Sequence, residues 1–87
     1  MRTFTNQANT LRNTRKAAGL SQDQLAAKLN YPRGQLISNI ERAVCGIPPK
    51  KVNDIASVLG VSPNDLKVAM VLDYEKYIGL GNLGVEI

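Results

Sequence analysis

The sequence has 87 residues and a formal net charge of +4, with one cysteine and no histidine. A chain of this length forms one small domain, and its single cysteine excludes an internal disulfide. Without histidine, the residues that Ser-His catalysis and the usual zinc sites require are absent from the sequence. We therefore expect a domain that is not an enzyme and needs no metal or cofactor. No apolar run approaches the ~20 residues that cross a bilayer, and the first residues carry no apolar signal core, so we expect a cytoplasmic protein without membrane contact.

Two helices are predicted in the first third of the chain. The first begins near residue 5 or 6 and ends at Ala18, because Gly19 suits a left-handed C-terminal cap. Ser21 and Gln24 form a capping-box pair, which predicts that a second helix starts there and runs to about residue 29. Its buried face is expected to consist of Leu25, Ala26 and Leu29.

A third helix follows after a short turn at Asn30-Tyr31. Pro32 fits its first turn, where the missing N–H does no harm, and the helix continues through Arg42. Ile37 and Ile40 are expected to point inward. Residues 21–42 therefore have the sequence form of a helix-turn-helix, whose second helix can lie in a DNA major groove.

Two further helices complete an all-α chain. Pro48-Pro49 opens the fourth, which is expected to end at Gly60 and to bury Val52, Ile55, Ala56 and Leu59. Ser62 and Pro63 start the fifth, which is expected to end near residue 77 or 78 because glycines interrupt the last nine residues. The predicted organisation is a domain over residues 1–78 and a Gly-rich tail over 79–87.

The fifth helix is too apolar for a single buried stripe. One face, which is expected to close the core, holds Leu66, Met70, Tyr74 and Tyr77. A second apolar face, which is predicted to be the dimer interface, holds Val68, Val71, Leu72 and Ile78. The alternative is that the Gly-rich tail folds back over the second face.

A family resemblance rests on five sequence elements that appear in order. The run Leu-Ser-Gln-x-x-Leu-Ala-x-x-Leu, then Ile-Ser-Asn-Ile-Glu-Arg, then a helix ending in Ala-x-x-Leu-Gly-Val resembles the lambda-repressor-like XRE/Cro helix-turn-helix family over about residues 11 to 66. This resemblance implies a compact all-α bundle of five helices. It also implies a transcriptional regulator, usually a repressor of the phage, mobile-element or restriction-modification type.

The resemblance also implies which residues meet DNA. Gln22 matches the family glutamine that contacts a phosphate and buttresses the third helix, and that helix presents its polar face opposite Ile37 and Ile40. Gln and Asn can bind adenine in a bidentate manner, and Arg can bind guanine. The expected DNA-binding residues are Gln22, Arg33, Gly34, Gln35, Ser38, Asn39 and Arg42. The alternative is that the helical members form only the solvated face of an amphipathic helix.

Arg15 and Glu41 match a family pair with a structural role, in which the arginine of the first helix orients the recognition helix. The alternative for Arg15 is a phosphate contact.

The chain departs from the family in two places. From Leu29 to Ile37 is eight steps where the common pattern has seven, which leaves the roles of Arg33 and Gly34 open. Ala43 replaces a family glycine, so either it is left-handed with a strain of about 1 kcal/mol or the third helix ends later.

The charge distribution is consistent with a nucleic-acid partner. Residues 1–51 carry nine Lys/Arg against two acidic residues, a net of +7, and residues 52–87 carry two Lys/Arg against five, a net of −3. Solvation of surface faces explains this layout equally well. We expect a homodimer that binds a near-palindromic operator in double-stranded DNA. The alternative is an antitoxin-like or adaptor module that binds another protein through the fifth helix and the tail.

Overall fold

The computed structural model describes the backbone of residues 4–82 and the side chains of residues 4–75. This part of the chain forms five α-helices, one 3-10 helix and no strand, which confirms the predicted all-α fold. The helices are α1 (Thr5–Ala17), α2 (Gln22–Lys28), α3 (Gln35–Glu41), α4 (Val52–Leu59) and α5 (Pro63–Asn82), with the 3-10 helix Pro49–Lys51 before α4. Over the described residues, none of these helices combines the length and apolarity that crossing a membrane requires.

The core lies where the apolar faces of the helices converge. α1 packs against α3 and α5, α2 packs against α3, and α4 packs against α5. The buried cluster consists of Leu11, Leu25, Ala26, Leu29, Ile37, Ile40, Ile47, Val52, Ile55, Ala56, Leu59 and Leu66. The apolar faces predicted for the second, third and fourth helices are all part of this cluster, so helical periodicity located the core.

Four of the described helices end with the same backbone conformation and hydrogen bond. The residue that leaves the helix takes a positive φ, and the next amide donates to the carbonyl five residues before it, as in a Schellman motif. The positive-φ residues are Gly19 (74°), Asn30 (66°), Ala43 (60°) and Gly60 (71°). Ala43 is therefore left-handed, which confirms the first of the two alternatives and shows that α3 does not continue toward Gly46.

The connection between α2 and α3 is longer than predicted. Pro32 lies before α3 and not in its first turn, because the chain turns back at the left-handed Asn30 and the helix begins only at Gln35. The N–H of Gly34 donates to Asp23 Oδ1 at 2.9 Å, which ties the end of the connection to the first turn of α2. The extra residue is accommodated in this loop, and α3 is correspondingly short.

α5 begins where it was predicted to begin and ends later. Pro63 is its first residue, and the N–H of Asn64 donates to Ser62 Oγ at 3.1 Å. The helix continues through Gly79 and Gly81 to Asn82. Each glycine costs only about 1 kcal/mol relative to alanine inside a helix, so glycines alone do not end it. The rest of the predicted tail, residues 83–87, lies outside the described residues.

The inward face of α5 differs from the prediction at Ala69, Asp73 and Tyr74. Leu66, Ala69 and Asp73 are buried and Met70 is partly buried, whereas Tyr74 is 62% exposed. Spacings of three, four and seven residues from Leu66 share a helix face, and Tyr74 lies eight positions on, at the edge of that face. The prediction for Tyr77 lies outside the described side chains.

Candidate nucleic-acid interface

The outward face of α3 is polar and hydrogen-bonded along its length. Gln35 Nε2 donates to Asn39 Oδ1 at 2.9 Å, and Arg42 Nη2 donates to the same oxygen at 2.7 Å. Gln35 and Arg42 are exposed, whereas Ser38 and Asn39 are half-buried. These four residues, at spacings of three, four and seven, form one continuous strip, which we call the α3 polar strip.

The opposite face of α3 is anchored in the core. Ile37 and Ile40 are fully buried, and Glu41 is 3% exposed although it carries a carboxylate. A helix of seven residues has little stability of its own, so its orientation depends on these tertiary contacts. The polar strip therefore has a fixed direction with respect to the rest of the domain.

Glu41 is the point at which three helices meet. Arg15 of α1 donates through Nε to Glu41 Oε2 at 2.6 Å and through Nη2 to Oε1 at 2.9 Å. Gln22 of α2 donates to Glu41 Oε1 at 3.1 Å. Arg12 Nη2 donates to the backbone carbonyl of Glu41 at 2.6 Å, which satisfies one of the free carbonyls at the end of α3. The arrangement fixes the C-terminal end of α3 to α1 and α2.

The charges of this cluster stabilise one another. Burial alone would raise the pKa of the Glu41 carboxyl, but hydrogen bonds from Arg15 and Gln22 and the positive charges of Arg15 and Arg12 hold that pKa below its ordinary value. The hydrogen bond with Glu41 raises the pKa of the Arg15 guanidinium, against the opposing effect of its burial. Both groups are therefore ionised at neutral pH, as a bidentate ion pair requires.

Gln22 and Gly34 lie beside the α3 polar strip but differ in exposure. Gln22 is half-buried at the start of α2, where its amide reaches Glu41. Gly34 is buried, and a Cβ on it would lie 2.6 Å from Asp23 Oδ1 and 3.0 Å from the carbonyl carbon of Gln22. The structure therefore places Gly34, which was predicted to bind DNA, in the contact between α2 and α3, where only a glycine lets them approach this closely.

Exposed basic side chains lie at both ends of α3 in the chain and on other elements of the domain. Arg33 precedes α3 in the chain, and Arg42 follows it directly. Both are exposed, as are Lys16, Lys28 and Lys50. The Nζ atom of Lys51 lies 5.5 Å from the centre of the Tyr31 ring, within the range of a cation–π contact. Long basic side chains of this kind suit a phosphate backbone.

Sequence reasoning missed two residues of this site, and a pattern was available for one of them. Arg12 lies three positions before Arg15 and shares its helix face, so a second cation near Glu41 could have been predicted. The contact of Asp23 with Gly34 links residues eleven positions apart across an irregular loop, and no local pattern predicts it.

A second surface, on α5, is apolar and exposed. Val68, Val71 and Leu72 are 51%, 53% and 45% exposed. We call these three residues the α5 apolar patch. Ile78, the fourth member of the predicted interface, lies outside the described side chains.

A family model described as a helix-turn-helix domain matches residues 8–69, which run from α1 into α5 and include α2, the connection and α3. The match covers the α3 polar strip and the Glu41 cluster completely. No curated protein and no solved structure matches the chain. Because the matched segment is well over half of the sequence, the chain belongs to the helix-turn-helix domain family.

Proposed function

We propose that the protein is a sequence-specific transcriptional regulator that binds double-stranded DNA through α3, most simply as a repressor. The observation that carries the proposal is the α3 polar strip. It lies on the outward face of α3, whose opposite face is buried in the core. Within the wider helix-turn-helix family, the sequence pattern supports the lambda-repressor-like XRE type. A cytoplasmic location follows from that role.

The chemistry of the strip fits the edge of a base pair. The two hydrogen bonds to Asn39 Oδ1 involve neither Gln35 Oε1 nor Asn39 Nδ2. One is an acceptor and the other a donor, the combination that adenine requires at N6 and N7 in the major groove. Arg33 and Arg42 are long enough for guanine or phosphate.

A homodimer would extend this recognition to a near-palindromic operator. Two copies of α3 would lie about one helical turn apart, roughly 34 Å, on such a site. The α5 apolar patch is the surface available for that contact, since its three members are about half exposed in the single chain. Covering the patch by two-fold symmetry would bury apolar area and set the spacing of the recognition helices.

The decisive experiment is a selection of bound duplexes from a random pool, followed by affinity measurements for the selected site and for random DNA. Gln35→Ala and Asn39→Ala should weaken the selected site by about 1–3 kcal/mol per lost base contact and leave random DNA nearly unchanged. Asn64→Ala, which removes an exposed amide side chain from α5, serves as the control for a simple loss of a surface amide. Equal losses on both duplexes for Gln35 and Asn39 would contradict base reading.

Salt dependence provides an independent test. If the basic side chains neutralise six or more phosphates, the affinity should fall by about 10³ or more between 50 and 200 mM salt. A flat response, or no retention of any duplex at low salt, would contradict the DNA-binding proposal.

The exposed apolar patch also supports a second candidate, a module that binds another protein through α5. In that case the α3 polar strip is a solvated surface. The two candidates separate in the selection experiment, because a protein-binding module enriches no duplex sequence.

A further inference from the structure

Asp73 is a buried carboxylate that the α3 site does not use directly. It lies on α5 and is only 2% exposed. Its Oδ1 accepts the N–H of Asn6 and its Oδ2 accepts the N–H of Gln7, each at 2.9 Å. These amides belong to the first turn of α1, which has no side-chain cap of its own. Asp73 therefore caps α1 from a different helix, 66 to 67 residues away.

The contact continues from α1 to the loop that follows α3. The Gln7 side chain, which is buried, accepts the N–H of Ile47 through Oε1 at 2.7 Å. Gly46 permits this approach, because a Cβ there would lie 2.9 Å from the Phe4 ring and 3.0 Å from Gln7 Oε1. Ile47 itself is part of the buried core. The loop from the end of α3 to Ile47 is thus tied to the same turn of α1 that Asp73 holds.

We propose that Asp73 and Gln7 form a buried relay that fixes the position of α3 with respect to α5, which makes Asp73 a positioning residue for DNA recognition. The inference rests on the proposed function in one respect, namely that α3 is the element that reads DNA. Asp73 directly follows Leu72 of the α5 apolar patch in the chain, but its side chain lies on the buried face of α5, so the relay begins inside the domain. It ends at the loop that leaves the recognition helix.

The relay depends on the fact that bulk water cannot easily replace the hydrogen bonds that Asp73 and Gln7 accept. Both side chains are enclosed, so a lost partner is not replaced by bulk water and the polar group must move or remain unsatisfied. A shift of the first turn of α1 would then displace Gln7 and release the Ile47 amide. If a partner on α5 displaced Asp73, it would change the affinity of α3 for a duplex, and the duplex would change the affinity for that partner by the same factor, because coupling is reciprocal.

The test combines hydrogen exchange of the free protein with DNA affinity. Asp73→Asn places an amide where two N–H donors require acceptors. We expect the amides of Asn6, Gln7 and Ile47 to exchange about tenfold faster or more, while amides of α4 such as Ile55 keep their protection. We also expect the ratio of specific to random affinity to fall several-fold. Glu75→Gln, which removes an exposed carboxylate of the same helix, is the matched control and should change neither readout.

Two results would overturn the relay. One is faster exchange at Asn6 and Gln7 with Ile47 and the affinity ratio unchanged, since Asp73 would then only cap α1. The other is a uniform increase at every amide, which would show a general loss of stability. If the wild type binds no duplex, the proposed function is wrong. The exchange rate of the Ile47 amide in Asp73→Asn still tests whether Asp73 and Gln7 hold the loop after α3.

A second variant tests the lower half of the relay and covers the case in which Asp73→Asn does not fold. Gln7→Met retains the size of the side chain and removes the acceptor for Ile47. We expect faster Ile47 exchange and a lower affinity ratio, with Asn6 still protected by Asp73. If Gln7→Met leaves Ile47 protected, the Gln7 side chain does not hold the loop and the relay is wrong.

Discussion

Arg15 of α1 and Glu41 at the end of α3 form a bidentate ion pair, with hydrogen bonds of 2.6 and 2.9 Å to the two carboxylate oxygens. The pair is largely desolvated, since the Glu41 side chain is 3% exposed and that of Arg15 is 11% exposed. It lies directly behind the α3 polar strip. The direction in which the strip points therefore depends on a contact that does not itself face DNA.

Glu41→Ala is expected to lower the free energy of unfolding by about 3–5 kcal/mol, because the Arg15 charge would remain buried without its partner. Urea unfolding of the purified protein measures the loss. Glu75→Ala, which removes an exposed carboxylate, is the control. A loss below about 1 kcal/mol, typical of an exposed ion pair, would contradict the role of the pair.

The same carboxylate predicts a dependence of stability on pH. Burial acts to raise the pKa of Glu41, but its hydrogen bonds and the neighbouring cations lower it below the ordinary 4.5. The unfolded chain therefore takes up the proton first, and the stabilisation is present above pH 4.5 and is lost as the pH falls through the lowered pKa. The unfolding free energy of the wild type should decrease through this range, and the decrease should be smaller in Glu41→Gln. Equal slopes for the two proteins would mean that other carboxylates account for the acid sensitivity.

The features that the sequence predicted well are local. Capping by Ser21 and Gln24, the glycine at 19 and the apolar spacing of α4 each depend on residues within one or two turns. The features it missed depend on distant partners. Asp73 is acidic and has the spacing of a core position, yet its burial makes sense only once the free amides of α1 lie opposite it. The loop before α3 likewise takes its shape from the contact of Gly34 with Asp23.

Ala43→Gly tests the left-handed end of α3. Ala43 has a φ of 60°, a conformation that costs an L-residue with a Cβ about 1 kcal/mol and costs glycine almost nothing. The substitution should therefore raise the free energy of unfolding by up to that amount in thermal or urea unfolding. Ala27→Gly, at an exposed helical position of α2, is the matched control and should lower it by a similar amount. A loss in both variants would show that Ala43 is helical in solution.

Gly34→Ala tests the close approach of α2 and α3. The new methyl group would lie 2.6 Å from Asp23 Oδ1 and 3.0 Å from the Gln22 carbonyl carbon, so a side chain and a backbone segment must both move. We expect a loss of about 1–3 kcal/mol in unfolding free energy, the usual cost of overpacking. The double variant Asp23→Gly/Gly34→Ala lacks the Asp23 side chain and therefore the side-chain part of the clash. The difference in unfolding free energy between this double variant and Asp23→Gly alone measures the backbone part. Full stability of Gly34→Ala alone would mean that the two helices are further apart than described.

Val71→Glu tests the proposed dimer. Val71 is 53% exposed at the centre of the α5 apolar patch, so a charge there should leave the core intact and oppose the burial of the patch by a second copy. Sedimentation at micromolar concentration should show dimers for the wild type and folded monomers for the variant, with unchanged helix content by circular dichroism and weaker binding to the selected operator. Lys67→Glu, an exposed neighbour that changes charge without removing apolar area, is the control and should remain dimeric. A monomeric wild type would place the partner surface elsewhere. An unfolded Val71→Glu would contradict the expected folded monomer, because the fold itself would then depend on the burial of Val71.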